Sequence, residues 1–147
     1  MTDIFFEDIE VGWQATSGEY AVEAEEMLEF SKKWDPMPIH IDAQAGEAIH
    51  GGLIGSGQYT LCIKQILITH LGFDDAVIGA IGFDELRFVN PVRPGQHLKL
   101  QAQCIERRES KSKPDRGVVK LNVEIADRGG TVVLRYIDIV MMRKRPT

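Results

Sequence analysis

The feature that most restricts the fold is segment 53–71, the longest apolar stretch in the 147-residue chain. Its apolar residues fall on nearly every side of a helix, with few charges among them: Leu53, Ile54, Tyr59, Leu61, Ile63, Ile66, Leu67 and Leu71. A helix that is apolar all round is normally buried. The sequence therefore predicts a central helix covered by the rest of the chain, ending before Gly72, which suits a helix C-terminus.

After residue 75 the chain has the pattern of β-strands. Strands are predicted at 76–89, 97–106, 118–126 and 131–142, with turns at 90–95 and 127–130 and an exposed loop at 110–117. A buried helix followed by antiparallel strands predicts an α+β fold with the sheet wrapped on the helix. No repeat or linker divides the chain, so a single domain, 1–147, is expected, and the half-open sheet predicts a homodimer.

The first part of the chain is predicted to form a strand and a helix that ends at a fixed position, Asp35. A strand is predicted at 13–22 and an amphipathic helix at 23–34, with acids in its first turn and lysines near its last, as the helix dipole favours. Pro36 ends that helix at Asp35, because a residue before proline is pushed out of the α region. Residues 36–41 are predicted to be extended and 42–48 to form a short helical turn.

Composition excludes several classes of protein. The net charge of −5 argues against a nonspecific nucleic-acid binder. Cys62 and Cys104 form no disulfide framework and are predicted to be buried free thiols. The N-terminus lacks the pattern of a signal peptide, and no apolar run approaches the ~20 residues that span a bilayer. We therefore expect a cytoplasmic protein that does not associate with membranes.

Asp35 and His40 are the strongest candidates for chemistry. A carboxylate and an imidazole can share one water, one accepting its proton while the other donates or orients. Five residues of extended chain would hold them ~16 Å apart, so they meet only if the segment with Pro36 and Pro38 bends. The alternative is that Asp35 caps a helix and His40 is a partly buried structural residue.

Gly51 and Gly52 precede the predicted central helix. Bare N–H groups at a helix N-terminus can hold an anion or a polarised carbonyl oxygen, and glycine permits close approach. The simpler interpretation is an ordinary turn. Ser56, between Gly55 and Gly57, lacks the Gly-x-Ser-x-Gly spacing and preceding strand of a hydrolase nucleophile.

Other polar residues give weaker signals. His50 and His70 are expected to be structural or exposed, and His40, Asp42 and His50 do not make a recognised zinc site, so no metal is predicted. A basic patch in a loop is expected to be a solvated turn, though it could meet a phosphate-bearing ligand: Arg107, Arg108, Lys111, Lys113 and Arg116.

Together, Asp35-Pro-Met-Pro-Ile-His40-Ile-Asp42 and the glycine-rich 50–57 segment resemble the MaoC-like dehydratases, the (R)-specific enoyl-CoA hydratases of the hot-dog fold. Residues 83–95 are similar to that family's strand and turn after the central helix. The chain departs from the family's Gly-Asp-x-Asn-Pro-x-His pattern at Trp34, Pro36 and Met37.

The resemblance implies a mechanism and a ligand. Asp35 would be the general base toward water, and His40 would supply or relay the proton to the α-carbon. The Gly51 N–H would bind the thioester carbonyl. The implied substrate is an acyl-CoA or acyl carrier protein thioester, with no further cofactor, hydrated reversibly to an (R)-3-hydroxyacyl thioester. Two alternatives are a hot-dog acyl-CoA thioesterase and a non-catalytic acyl-thioester-binding protein.

Overall fold

The computed structural model describes residues 4–147, so residues 1–3 of the predicted domain lie outside the described part. The helices are α1 (Ala24–Trp34), α2 (Pro38–Ile41), α3 (Ala43–His50) and α4 (Gly57–Ile68). The strands are β1 (Gln14–Ala21), β2 (Val77–Phe88), β3 (His97–Glu109), β4 (Arg116–Asp127) and β5 (Val132–Arg143). Short 3₁₀ turns lie at Phe6–Asp8, Thr69–Leu71 and Asp74–Ala76.

The strands form one antiparallel sheet in the order β1-β3-β4-β5-β2. β2 is therefore an edge strand that pairs only with β5, and its register shifts three times along that pairing. Inserted residues of this kind bend a strand and increase its twist. One of these irregular places, near Glu85, has a left-handed backbone with φ of 54°.

The core lies between α4 and the inner face of the sheet. On α4, Tyr59, Ile63 and Leu67 are almost fully buried, and they belong to one cluster with Leu121 and Leu134 of the central strands. Because such a core is close-packed, truncating fully buried Leu67 to alanine should cost about 2–5 kcal/mol of unfolding free energy. Nowhere in residues 4–147 is there a helix with the length and hydropathy needed to cross a bilayer.

The structure confirms the α+β architecture and corrects two details of the central helix. It begins at Gly57 rather than residue 53, because Gly55 N–H donates to the Val92 carbonyl at 2.8 Å and Ser56 then caps the helix. Cys62, predicted to be buried, is exposed on α4, whereas Cys104 is buried as predicted. The prediction placed the start of the helix too early because Leu53 and Ile54 are apolar, core-facing residues that lie outside it.

Candidate functional site

Helix α1 is held against the rest of the fold by a partly buried polar contact. Glu26 on α1 accepts hydrogen bonds from Tyr20 of β1 and from Tyr59 of α4, the latter at 2.7 Å. Burial, reinforced by the Glu26 carboxylate, raises the pKa of Tyr20 to about 12 and that of Tyr59 further. Both phenols therefore stay protonated as donors, and they fix the helix whose last residue precedes Asp35.

The segment after α1 is bent, and the prediction of an extended chain at 36–41 is wrong. Asp35 follows the last residue of α1, and its N–H donates to the Ser31 carbonyl at 2.9 Å. Pro38 then occupies the first position of the single turn α2, where its fixed φ favours a helix. The turn rises less per residue than a strand, so it brings His40 back toward Asp35.

Asp35 and His40 come together as the sequence suggested they could. His40 Nε2 lies 3.5 Å from Asp35 Oδ2, and the two side chains are 9% and 23% exposed. That separation is long for a direct hydrogen bond. The pair is therefore partly desolvated but still open on the Asp35 side.

The other ring nitrogen of His40 fixes which atom can act as a base. His40 Nδ1 lies 2.8 Å from the carbonyl oxygen of Ile54. A carbonyl oxygen only accepts, so Nδ1 must carry the proton, and in the neutral ring Nε2 is the free acceptor. Nε2 and the Asp35 carboxylate then form two convergent acceptors for the protons of one water. Periodicity in the sequence could not reveal this role of the Ile54 carbonyl.

A cavity of about 260 Å³ opens beside His40. Its lining comes from α2 and α3, from the segment before α4 and its first turn, and from the end of β2 and the chain after it: His40, His50, Ile54, Gly55, Gly57, Thr60, Phe88, Asn90, Pro91 and Val92. The wall is mostly apolar, as expected for a small-ligand cleft with a few convergent polar groups. The Asn90 side-chain amide donates to the Val132 carbonyl at 2.7 Å, which ties this wall to the sheet.

The structure places Gly51 and Gly52 differently from the prediction. Gly51, with φ of 73°, caps the C-terminus of α3, and its N–H donates to carbonyls of that helix. Gly52 N–H donates to the Gly46 carbonyl at 3.3 Å. Neither glycine stands at the N-terminus of α4, which begins five residues after Gly52, and both N–H groups are engaged. A carbonyl-binding role for these N–H groups would require the cap to open.

Free main-chain donors lie instead at the start of α4. Ser56 Oγ accepts the Tyr59 N–H at 3.1 Å, and Thr60 N–H bonds to the Ser56 carbonyl at 3.1 Å. Gly57 and Gln58 are the first-turn residues whose N–H groups have no acceptor within the described chain. Gly57 also lines the cavity with His40. Oriented N–H groups at a helix N-terminus suit a developing oxyanion.

Position 57 also leaves little room for a side chain. A Cβ there would lie 2.7 Å from the Phe88 ring, which forms part of the same cavity wall. Gly57 could not be singled out from the sequence, because its role depends on where α4 begins. Phe88 and Asn90 fall inside the segment that resembles the family, but neither was identified as a site residue from the sequence.

The remaining candidates do not join this site as reactive groups. Ser56 is a buried helix cap, a role that was not predicted from the sequence. His70 lies in the 3₁₀ turn after α4, and its Nδ1 accepts the Gly18 N–H at 3.1 Å. Within residues 4–147, no group of three or more His, Cys, Asp or Glu side chains could hold a metal ion.

Comparison with solved structures identifies the class of fold. A MaoC-like dehydratase from Rhodospirillum rubrum is 33% identical, with a TM-score of 0.91 over 98% of this chain and 99% of that one. A conserved hypothetical protein from Mycobacterium tuberculosis, with a double hotdog fold, is 16% identical with a TM-score of 0.82 over 98% of this chain and 45% of that one. The protein therefore has the hot-dog fold predicted from its sequence.

The family follows from the sequence itself. Residues 13–126 match the family described as the MaoC like domain, and the chain belongs to that family. Mesaconyl-CoA hydratase of Cereibacter sphaeroides is 30% identical over 92 residues, which cover 58% of this chain and 26% of that protein. The chain thus spans about a quarter of the length of that relative. The resemblance inferred from the Asp35 and His40 motif is confirmed at the level of the family.

Proposed function

We propose that the protein catalyses reversible (R)-specific hydration of 2-enoyl-CoA thioesters. The single observation that carries this proposal is the pair of convergent acceptors, His40 Nε2 and Asp35 Oδ2, 3.5 Å apart beside an apolar cavity. Two acceptors fixed by a helix end and a main-chain carbonyl can orient and deprotonate one water. Membership of the MaoC-like family and similarity to a CoA-ester hydratase support the same chemistry.

In the proposed reaction, Asp35 and His40 hold the water above C3 of the enoyl thioester. Asp35 accepts a proton as the water oxygen bonds to C3, and the π electrons of the C2–C3 bond move toward the thioester carbonyl. That proton passes from Asp35 to His40 Nε2, 3.5 Å away, and His40 relays it to C2 of the resulting enolate. Both side chains return to their starting states, and water has been added without an external cofactor. The Gly57 and Gln58 N–H groups stabilise the enolate oxygen, a role for which Gly51 was the sequence-based candidate.

We infer that the working unit is a homodimer formed through β2. This strand offers unpaired backbone groups along its free edge, and exposed edges of this kind pair readily with another chain. Large apolar residues are exposed along it: Ile78, Ile81, Phe83 and Phe88. On the adjacent helix, Ile66 is 50% exposed. A second copy related by a twofold axis would cover the same patch on both protomers.

The test follows the loss of the conjugated enoyl-thioester absorbance with crotonyl-CoA, and in parallel with mesaconyl-CoA. Wild type should remove the band without releasing free thiol, and Asp35→Asn should reduce the rate by about 10²–10⁴-fold, the usual contribution of a general base. Asp75→Asn is the matched control, because Asp75 is an exposed acid in a turn beyond the C-terminal end of α4.

Each alternative outcome has a distinct meaning. Thiol release would indicate a thioesterase, and a rate equally reduced by the two substitutions would exclude a specific role for Asp35. Binding of crotonyl-CoA without any turnover in wild type would replace the hydratase proposal with a non-catalytic thioester-binding protein. Chiral analysis of the hydrated product tests the (R) assignment separately.

A further inference from the structure

The carbonyl that fixes the His40 ring lies in a segment with little stiffness of its own. Ile54 belongs to residues 51–56, here called the glycine loop, which joins the end of α3 to the start of α4. Gly51 and Gly52 have φ values of 73° and 151°, and Gly55 is a third glycine. Glycine has more conformational freedom to lose on folding than any other residue. The position of the Ile54 carbonyl therefore depends on contacts between the loop and the rest of the fold.

Two consecutive residues after β2 supply such contacts near the two ends of the loop. Gly55 N–H donates to the Val92 carbonyl at 2.8 Å. Arg93 Nη2 donates to the carbonyl oxygen of His50, the last residue of α3, at 2.6 Å. Because residues 92 and 93 are adjacent in the chain, they hold the two ends of the loop at a fixed separation. Ile54 lies between these two anchors in the sequence.

The contact that Arg93 makes is stronger than a hydrogen bond between neutral groups. Its donor is a charged guanidinium, and hydrogen bonds with an ionised partner are shorter and roughly twice as strong. Its acceptor is at the C-terminus of α3, where the helix dipole favours a cation. Arg93 is half-buried and forms no ion pair within residues 4–147. The guanidinium is therefore committed to the His50 carbonyl.

The first half of the loop is also enclosed by Arg93 and α3. Arg93 Nη1 is 3.8 Å from the position that a Cβ would take on Gly52. A Cβ on Gly46 of α3 would come within 2.8 Å of the Gly52 carbonyl oxygen, and Gly52 N–H donates to the Gly46 carbonyl. Both neighbours thus restrict where this part of the loop can move.

Arg93 is itself held by the sheet. Its N–H donates to the side-chain oxygen of Gln96 at 2.7 Å, and Gln96 Nε2 donates to Asp127 Oδ2 at 3.2 Å. Asp127 ends β4, and its Oδ1 accepts the N–H groups of Gly129 and Thr131 in the turn to β5. A chain of polar contacts therefore runs from this hairpin turn, through Arg93, to the end of α3.

We propose that Arg93 is a positioning residue for His40. By holding the glycine loop, it keeps the Ile54 carbonyl against His40 Nδ1 and so maintains the tautomer in which Nε2 is the acceptor. Without this restraint the carbonyl can move away, and the neutral ring can carry its proton on either nitrogen. A ring protonated at Nε2 cannot accept a proton from water there. The effect on the tautomer follows from the geometry of the loop, whereas the effect on the rate rests on the proposed function.

The first experiment reads the tautomer from the ring-nitrogen NMR signals of ¹⁵N-labelled protein at alkaline pH, where imidazole is neutral. Nδ1 carries the proton in His40, whereas in His70 it accepts the Gly18 N–H and must be unprotonated, so the two rings should give opposite patterns in wild type. In Arg93→Met the two signals of His40 should move toward each other as tautomers mix, while those of His70 stay in place. His40 signals that do not move would overturn the proposal.

Two further variants control that measurement. Arg93→Lys keeps a cation able to donate to the His50 carbonyl, so its His40 signals should lie closer to those of wild type than the signals of Arg93→Met do. Arg128→Met removes an arginine that lines the same cavity of about 420 Å³ as Arg93 but pairs with Glu19 at 2.9 Å. An equal shift in Arg128→Met and Arg93→Met would contradict the proposal. If Arg93→Met does not unfold cooperatively on heating, Arg93→Gln replaces it with the same expected shift.

Kinetics separate positioning from ligand binding. Arg93→Met should lower kcat for crotonyl-CoA by about 10-fold to 10²-fold, as expected when a substitution away from the chemistry misplaces a reacting group, and should change KM less than about twofold. Arg93→Lys should recover part of the loss. A rise in KM without a fall in kcat would mean that Arg93 binds the ligand, and the proposal would fail.

A double variant tests whether Arg93 acts through the ring of His40. In the His40→Gln background there is no ring to position, so adding Arg93→Met should reduce kcat little further. A loss as large as that in the wild-type background would show that Arg93 acts by another route.

The two proposals can fail separately. The NMR measurement needs no turnover, so a shift of the His40 signals in Arg93→Met, with no hydration by wild type, would support the role of Arg93 and contradict the proposed function alone. Hydration by wild type, with the His40 signals and kcat both unchanged in Arg93→Met, would contradict the role of Arg93 alone.

Discussion

Two acid–base pairs lie in this small fold, and their surroundings differ. Asp35 and His40 stand beside a cleft, with one ring nitrogen committed to a main-chain carbonyl and the other left as an acceptor. Lys64 of α4 and Asp138 of β5 are only 5% exposed and do not come within ion-pair distance of each other. The first pair converges on a place for a ligand, whereas the second is enclosed by the core.

Burial dominates the chemistry of the second pair, Lys64 and Asp138, here called the inner pair; Asp35 and His40 are the outer pair. It raises the pKa of Asp138, a shift that the charge of Lys64 and the hydroxyl of Tyr136 oppose, and it lowers the pKa of Lys64. Asp138 Oδ1 has no hydrogen-bond partner, and Lys64 Nζ stands 4.6 Å from the centre of the Phe83 ring. A carboxylate beside a nitrogen base thus has different consequences in the two places: at the cleft the pair can act on water, and in the core it affects stability.

The largest expected effect comes from a substitution that disrupts the outer pair. His40→Gln keeps an amide that can donate to the Ile54 carbonyl but removes the basic Nε2. We expect kcat for crotonyl-CoA to fall about 10²–10⁴-fold, with cooperative unfolding retained because the main-chain hydrogen bond can be kept. Steady-state kinetics and a thermal unfolding curve measure the two quantities on the same preparation.

His50→Gln is the matched control for that experiment. His50 lines the same cavity, but its ring has no carboxylate within ion-pair distance in residues 4–147. Its substitution should change kcat far less than His40→Gln does. A comparable loss in both variants would mean that cavity shape, rather than the Asp35 and His40 pair, determines the rate.

The inner pair should give the opposite result. Replacing Lys64 with Met and Asp138 with Asn together removes two buried charges, a change that is often neutral or stabilising by about 1–4 kcal/mol. We expect this double variant to be at least as stable as wild type at neutral pH. Urea unfolding of the double variant, both single variants and wild type completes the cycle and gives the coupling energy of the pair.

The pH dependence of stability supplies a second test of the inner pair. Because the folded pKa of Asp138 is raised, the folded state keeps a proton that the unfolded state loses above about pH 3.9, so wild-type stability falls as pH rises toward the raised pKa. The lowered pKa of Lys64 works oppositely, and stability rises from that pKa toward about pH 10.4. Both contributions should be absent from the double variant, and their persistence there would show that other groups cause them.

The same contrast shows what sequence alone could predict. The apolar pattern of α4 and the strands after it were enough to predict an α+β architecture, and Asp35 and His40 were candidates from their residue types and spacing. The hot-dog fold and the catalytic roles of the two residues were implied only by the resemblance of their motif to the MaoC-like family. The one-turn helix at Pro38 was missed because four residues carry too little periodicity. The free N–H of Gly57 was missed because a hydrophobic pattern cannot locate the Ser56 cap, and the roles of Gly51 and Gly52 depended on that boundary.

The inner pair could not have been predicted for a different reason. Lys64 and Asp138 are 74 residues apart in the sequence, and only the packing of α4 on the sheet encloses both. A lysine within an apolar helix pattern gives no sign of whether its ammonium reaches solvent or is buried, because a long side chain can do either. The three-dimensional neighbours, rather than the residue types, decide its charge state.

The smallest expected effect sharpens the description of the inner pair. The Tyr136 hydroxyl donates to Asp138 Oδ2 at 3.5 Å, a weak contact, while the Tyr136 ring packs edge-on against Phe83 at 5.1 Å between centroids. Tyr136→Phe keeps the ring contact and removes only the donor, so the unfolding free energy should fall by about 0.5–1.5 kcal/mol. The loss should be greatest when Asp138 is ionised, since the hydroxyl opposes the rise in its pKa. Urea unfolding of this variant below and above that pKa, with Tyr136→Phe in the Asp138→Asn background as control, measures the difference; an equal loss in both backgrounds would show that the hydroxyl does not act through Asp138.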